Sequence, residues 1–294
     1  MTDCSARSLD LGERLAGTAP FERGFLVLEE PGPWGRDALR DGPLEPGAAA
    51  AIERAAALAG LKVILVRRSQ ARYTPAPHHA WLACVTPRER FLEALTLGAP
   101  EEILGLDLSG VADGRPTGTG TLEDEPLHLV CTHGRRDACC ARLGRPLWRA
   151  LGAAAPGRVW QCSHLGGHRF AATMAVLPLG VWLGRVPVAR ALSIAQDARA
   201  GRADPDLLRG RAGCTPAHQV ADIAVRHEHG IAEVDAVELV GIDGHRVTLR
   251  AASATHTMDV RREPTGEDRP VSCGADAKVE DPGRWVVSPR ESVD

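Results

Sequence analysis

Apolar and polar positions along the chain divide it into short strands and helices. Short apolar runs bounded by glycine, proline and polar residues are typical of buried strands, whereas apolar residues three to four positions apart predict amphipathic helices. In the first 100 residues the pattern predicts an irregular beginning over 1–20, strands over 24–30, 61–68 and 80–86, and helices over 46–60 and 88–98.

The same order begins again after residues 107–125, which are rich in Gly, Thr, Asp and Pro and predict a linker. The second set comprises strands over 127–133, 157–164, 171–178 and 180–186 and helices over 137–155 and 187–201. In both sets a basic residue and an aspartate, Asp37 or Asp137, follow an apolar strand and precede a helix. This internal repeat predicts an α/β protein of two tandem thioredoxin-like units, each with a helical crossover that feeds a mixed sheet.

The last third of the chain follows a different pattern. Residues 215–230 have a helical period, and residues 236–253 alternate around Asp243-Gly244, a dipeptide that is typical of a two-residue hairpin. Short strands are also predicted within 258–276 and 283–289. We therefore predict an N-terminal α/β unit over 1–120, a second unit over 124–203 and a small α+β appendage over 204–294.

Composition narrows the class of protein. The 294 residues include 35 Lys and Arg and 38 Asp and Glu, so the net charge of −3 provides no basic field for nucleic acid. No apolar stretch is long enough to span a membrane, and the N-terminal residues lack the apolar core of a signal peptide. We expect a cytoplasmic protein, in which thiols stay reduced and a cysteine cluster indicates metal binding or catalysis.

Two pairs of residues with metal-ligand chemistry flank the helix of the second unit. Eight residues separate Cys131 from Cys140, and three, including a Gly-Gly pair, separate His164 from His168. A chain that runs strand, turn, helix and strand can bring both pairs to one edge of the sheet. Two thiolates and two imidazoles suit zinc or an iron–sulfur cluster, and the spacing alone leaves that choice open.

The segments CTHGRRDACC and SHLGGHRFAA, together with the N-terminal CSARSLDLGERLAG, closely resemble the sucrase/ferredoxin-like family. The resemblance implies a thioredoxin-like ferredoxin domain over 124–203 and one [2Fe–2S] cluster with Cys131, Cys140, His164 and His168 as its ligands. It also implies an electron carrier that exchanges electrons with a redox partner protein. Imidazoles in place of two thiolates make such a cluster less negative, so we expect a reduction potential above that of an all-cysteine cluster. We also expect electron uptake to be linked to protonation of the two histidines.

Two other classes of function stay open at this point. One is a thiol oxidoreductase that uses Cys139 or Cys140 as its nucleophile, although the chain has no Cys-x-x-Cys pair. The other is a structural protein stabilised by zinc. Because Cys139 and Cys140 are adjacent, the sequence also leaves open which of them is the ligand. Cys162 lies two residues before His164, which on a strand would put both on the same face and toward the cluster, although a cysteine of the strand interior is the favoured interpretation. The remaining cysteines lack a partner spacing and receive no role: Cys4, Cys84, Cys214 and Cys273.

Overall fold

The first part of the chain forms one α/β unit. The computed structural model describes residues 3–68, 77–273 and 279–289. Its first elements are helix α1 (Cys4–Asp10), strand β1 (Gly24–Glu29), helix α2 (Pro46–Leu58) and strands β2 (Leu61–Arg67), β3 (His78–Val85), β4 (Arg90–Leu97) and β5 (Thr121–Leu122). Helix α2 connects the parallel strands β1 and β2, and β3 pairs antiparallel with β1 on its other side.

Two of the sequence predictions for this part were wrong. Residues 1–20 are not irregular throughout, because Asp3 caps the seven-residue helix α1 by accepting hydrogen bonds from two backbone N–H groups. Residues 88–98 form strand β4 instead of a helix. Their leucines suit either structure, and antiparallel pairing along the full length of β3, from His78 opposite Leu97 onward, selects the strand.

The second unit repeats the first. It consists of β6 (Leu127–Cys131), α3 (Ala138–Ala154), β7 (Val159–Cys162), β8 (Met174–Leu177), β9 (Val181–Leu183), α4 (Ala191–Arg199) and β10 (Leu208–Arg211). Strands β6 and β7 are parallel and joined by α3, and β8 pairs antiparallel with β6. The strand order β7-β6-β8-β9 therefore matches the order β2-β1-β3-β4 of the first unit. This arrangement confirms the predicted α/β class.

The two units share one sheet and one core. Strands β2 and β7 pair antiparallel, with Val66 opposite Cys162, so that ten strands form a continuous sheet. The sheet curls, and aromatic residues of both units meet on its inner face. There the rings of Phe25 and Trp182 lie 5.0 Å apart and those of Trp81 and Trp160 lie 5.1 Å apart. Helices α2, α3 and α4 pack against the outer face.

The C-terminal region adds a smaller sheet. It contains α5 (Pro216–His229), β11 (Glu238–Asp243), β12 (Arg246–Ala251), β13 (Ala254–Glu263), β14 (Arg269–Pro270), β15 (Val279–Glu280) and β16 (Arg284–Pro289). The predicted helix over 215–230 is confirmed, and α5 packs on the sheet formed by β11, β12, β13 and β16. The hairpin loop is Gly244-His245, one residue later than predicted.

The large sheet crosses the predicted boundaries between regions. It runs from the 1–120 region into the 124–203 region and takes up β10 from the 204–294 region. The division of the chain into domains at those points stays a prediction. Among the helices of the described ranges, none combines the length and the apolar character needed to cross a bilayer.

The close approach of α3 to the end of β6 provides a test of this architecture. A Cβ atom at Gly144 would lie 2.1 Å from the carbonyl oxygen of Cys131. We expect Gly144→Ala to lower the free energy of unfolding by about 1–3 kcal/mol, because the helix must move away from the strand. Urea unfolding measures the loss.

Gly152 supplies the matched control within the same helix. A Cβ atom at that position meets no other atom within 4 Å. Gly152→Ala should therefore stabilise the protein by about 0.5–1 kcal/mol through helix propensity alone. Equal effects of the two substitutions would contradict the close packing of α3 on β6.

Candidate metal centre

The candidate metal centre lies at the carboxyl ends of two neighbouring parallel strands. Cys131 is the last residue of β6, and Cys162, which lies opposite it, is the last residue of β7. Cys140 lies in the first turn of α3, and His164 follows β7 by two residues. Because parallel strands end at the same edge of a sheet, the crossover brings both predicted ligand pairs to one place.

The four predicted ligands converge there. The side-chain donor atoms of Cys131, Cys140 and His164 all lie within 4.8 Å of one another. The Sγ atom of Cys140 is 4.0 Å from Nδ1 of His164. His168 joins the group through His164, since its Nδ1 is 3.5 Å from Nε2 of that ring. Three of the residues thus form a direct ligand group, and His168 is the next neighbour.

The two thiols are buried at the base of the site. Cys131 and Cys140 are essentially inaccessible to solvent. A hydrogen bond from the Cys140 thiol lowers the pKa of Cys131 well below its usual range, and the same contact raises the pKa of Cys140. Metal binding would require the loss of both thiol protons.

The orientation of His168 is fixed from outside the site. Its Nε2 lies 2.6 Å from the backbone carbonyl oxygen of Val271, and 3.7 Å from Oδ2 of Asp137. Because a carbonyl can only accept, Nε2 carries the proton and Nδ1 is left free on the side of His164. Burial lowers the pKa of His168, which favours the neutral, ligating form of the imidazole. Such outer contacts orient metal-binding histidines in known sites.

Arg209 is a residue near the candidate centre that the sequence analysis did not single out. It lies on β10, is buried, and donates hydrogen bonds to the carbonyl oxygen of Gly166, at 3.0 Å, and to the hydroxyl and carbonyl oxygens of Thr18. Burial lowers the pKa of Arg209, and the thiols of Cys131 and Cys140 act in the opposite direction. The charge of Arg209 therefore lies within electrostatic range of both thiols. Only the tertiary structure brings it there, so no local sequence pattern could have shown it.

The adjacent cysteines of α3 face different surroundings. Cys140 faces Cys131 and His164, whereas the Sγ atom of Cys139 is 3.1 Å from that of Cys273. Consecutive helical residues point in directions roughly 100° apart, which accounts for the difference. The geometry therefore groups Cys140 with the predicted ligands and leaves Cys139 outside that group.

The fold and the site define an α/β protein with two buried cysteines and two partly buried histidines at the carboxyl edge of its sheet. A family model described as sucrase/ferredoxin-like matches residues 15–210, and the chain belongs to that family. The resemblance seen in the sequence is thereby confirmed, over a range that contains strands β1 to β9 and all four candidate ligands. No curated protein matches the chain, and no solved structure matches it.

Arg209 donates a hydrogen bond to Gly166 in the loop over residues 163–168, which we call the histidine loop. This contact gives a testable prediction. Arg209→Met keeps most of the side-chain volume but leaves the carbonyl groups of Gly166 and Thr18 without their donor. We expect the free energy of unfolding to fall by about 2–4 kcal/mol, because hydrogen bonds from a buried charged group to partly buried acceptors are lost. Chemical denaturation provides the measurement.

An exposed arginine serves as the control. Arg40 forms a surface ion pair with Glu53, with the nearest atoms 3.0 Å apart. Arg40→Met should leave the unfolding transition unchanged, since exposed pairs contribute little. An Arg209→Met protein as stable as the wild type would show that the guanidinium does not hold the histidine loop.

Proposed function

We propose that the chain is an electron carrier that binds one [2Fe–2S] cluster through Cys131, Cys140, His164 and His168. The observation that carries the proposal is the convergence of two thiols and two imidazoles from four separate positions on one edge of the sheet. When bound, the cluster would supply a one-electron redox couple, and the protein would supply binding, charge and access.

The donor set fits this group in composition and in its division into two pairs. Cys131 and Cys140 form one neighbouring pair, and the rings of His164 and His168, with centroids 5.3 Å apart, form the other. A division into two thiolates on one iron and two imidazoles on the second is the known ligand pattern of mixed clusters. Each pair can therefore serve one iron.

Each group of surrounding residues would have a different effect on a bound cluster. The buried sheet edge excludes water from the two thiols, and the carbonyl of Val271 holds a proton on Nε2 of His168. The positive charge of Arg209 would favour the reduced state of any group bound beside it. A link between electron uptake and protonation of the histidines stays a prediction of ligand chemistry.

The partly exposed His164 marks the side on which a redox partner would approach. It lies at an open groove that Lys62, Asp37 and Arg136 also line. Charges of both signs around an exposed ligand suit a transient, electrostatically guided encounter. We therefore propose that electrons pass through the histidine side of the site, away from the buried thiols.

A zinc-stabilised structural protein is the second candidate. The observation in its favour is that donor atoms of Cys131, Cys140 and His164 lie within 4.8 Å of one another, close enough to surround a single ion. A two-iron cluster requires His164 to lie farther from the thiols. The glycines of the histidine loop, Gly166 and Gly167, have φ of +75° and +65°. A Cβ at Gly166 would meet nothing within 4 Å, whereas one at Gly167 would lie 2.6 Å from the guanidinium of Arg209.

Metal content and colour separate the two candidates. We expect the full chain, purified without oxygen, to be brown and to contain about two iron and two acid-labile sulfide ions per chain. Cys131→Ser and Cys140→Ser should each abolish the visible bands, because each removes a buried thiolate ligand. Cys139→Ser should keep the iron, since its thiol faces away from this site.

Cys84→Ser is the control for loss of a buried thiol as such. Cys84 lies on β3 and its thiol donates to the carbonyl oxygen of Glu89, a contact that serine can also make. That variant should stay brown. A colourless wild-type protein that loses one equivalent of bound zinc in Cys140→Ser would instead establish the structural zinc site.

A further inference from the structure

Three cysteines from distant parts of the chain meet beside the first site. Cys4 begins α1, Cys139 lies in the first turn of α3, and Cys273 follows β14 near the end of the described chain. Their Sγ atoms are 3.7 Å apart for Cys4 and Cys139, 3.5 Å for Cys4 and Cys273, and 3.1 Å for Cys139 and Cys273. Cys4 and Cys139 are almost completely buried, and Cys273 is partly buried.

These distances can be compared with the two common states of neighbouring thiols. A disulfide bond is about 2.0 Å long, which is well below the shortest of the three separations. Sulfurs bound to one zinc ion at about 2.3 Å in a tetrahedron are about 3.8 Å apart. The three separations lie nearer to the second value, so the sulfurs mark one triangular face of a tetrahedral site.

Asp137 supplies the fourth corner. Both of its carboxylate oxygens lie 3.7 Å from Sγ of Cys4. One oxygen accepts a hydrogen bond from the backbone N–H of Cys139 and the other from that of Cys273, each at 2.9 Å. A carboxylate oxygen has two lone pairs, so each still has one for a metal ion. The two hydrogen bonds hold the carboxylate toward the three sulfurs.

A second carboxylate touches the group but is already engaged. Oδ1 of Asp3 accepts a hydrogen bond from the thiol of Cys139 at 2.8 Å, and Oδ2 pairs with Arg142. Asp3 is on the outer side of the cluster, where its carboxylate is partly exposed. Asp137 is buried and is therefore the better ligand.

We propose that Cys4, Cys139, Cys273 and Asp137 form a second metal site, which binds one Zn²⁺ ion through three thiolate sulfurs and one carboxylate oxygen. Three soft thiolates select zinc over magnesium or calcium, and four protein ligands make a closed, structural site. Binding releases the three thiol protons to solvent. The ion would tie α1, α3 and the C-terminal segment together beside the first site.

The second site uses none of the four ligands of the first. The two are nevertheless neighbours, because Cys139 and Cys140 are consecutive and Oδ2 of Asp137 is 3.7 Å from Nε2 of His168. Zinc at the second site would fix the position of the Asp137 carboxylate. It would thereby also fix the contact between that carboxylate and His168. Since the donors differ, the second site does not depend on which metal the first site takes.

The experiment isolates the second site by removing the first. The full chain carrying Cys131→Ser and Cys140→Ser is purified without oxygen, loaded with zinc and analysed for metal by mass spectrometry. We expect about one zinc per chain and, after exchange for cobalt, the intense thiolate-to-cobalt absorption of a tetrahedral site. Less than a tenth of an equivalent of zinc would overturn the proposal.

Single substitutions in the otherwise unchanged chain assign the ligands. Cys273→Ser should lose this zinc while the first site keeps its metal. The metal retained at the first site also shows that the variant is folded. Cys84→Ser should keep the metal at both sites. Asp137→Asn keeps a residue that caps helices well and should weaken zinc binding at least tenfold. Zinc content unaffected by Cys273→Ser would contradict the assignment. A disulfide between Cys139 and Cys273 in place of bound zinc would overturn the proposed metal site and would indicate thiol redox chemistry instead.

Discussion

The buried carboxylate of Asp137 connects the chain segments that meet at the candidate metal centre. It caps α3 through the N–H of Cys139, accepts the N–H of Cys273 from the C-terminal segment, and lies beside His168. Burial alone would raise the pKa of Asp137, but the two backbone donors outweigh it and lower that pKa. A buried charge is tolerated only with such partners, so the helix, the histidine loop and the C-terminal segment must assemble around it together.

The two repeated units differ at the turn between the first strand and the helix, where the second unit carries the candidate cysteine ligands. In the first unit Asp37 accepts hydrogen bonds from the N–H groups of Leu39 and Arg40, but the following helix starts only at Pro46. In the second unit α3 starts immediately after Asp137 and presents thiols in its first turn. The same strand, turn and helix thus carry no cysteine in the first copy and two of the candidate ligands, Cys131 and Cys140, in the second. The antiparallel pairing of β2 with β7 then places the ligand-bearing edge next to the first unit.

Local patterns made much of the fold and the candidate ligands predictable. Strands β1, β2, β6 and β7 and helices α2, α3 and α5 follow from apolar spacing and boundary residues. The candidate ligands lie at or after the ends of β6 and β7, which a crossover brings together: Cys131, Cys140, His164 and His168. Features set by distant contacts were not predictable. Pairing with β3 turns 88–98 into a strand, and no spacing links Cys4 to Cys273 or brings Arg209 from β10 to the thiols.

The central claim is that two imidazoles and two thiolates share one two-iron cluster, and pulsed electron paramagnetic resonance addresses it most directly. The measurement uses the full chain labelled with ¹⁵N-histidine and reduced with dithionite. The account predicts strong magnetic coupling to two histidine nitrogens and its loss in a His164→Cys/His168→Cys variant that still binds a cluster. A reduced cluster without histidine coupling, or a protein that binds no cluster at all, would contradict it.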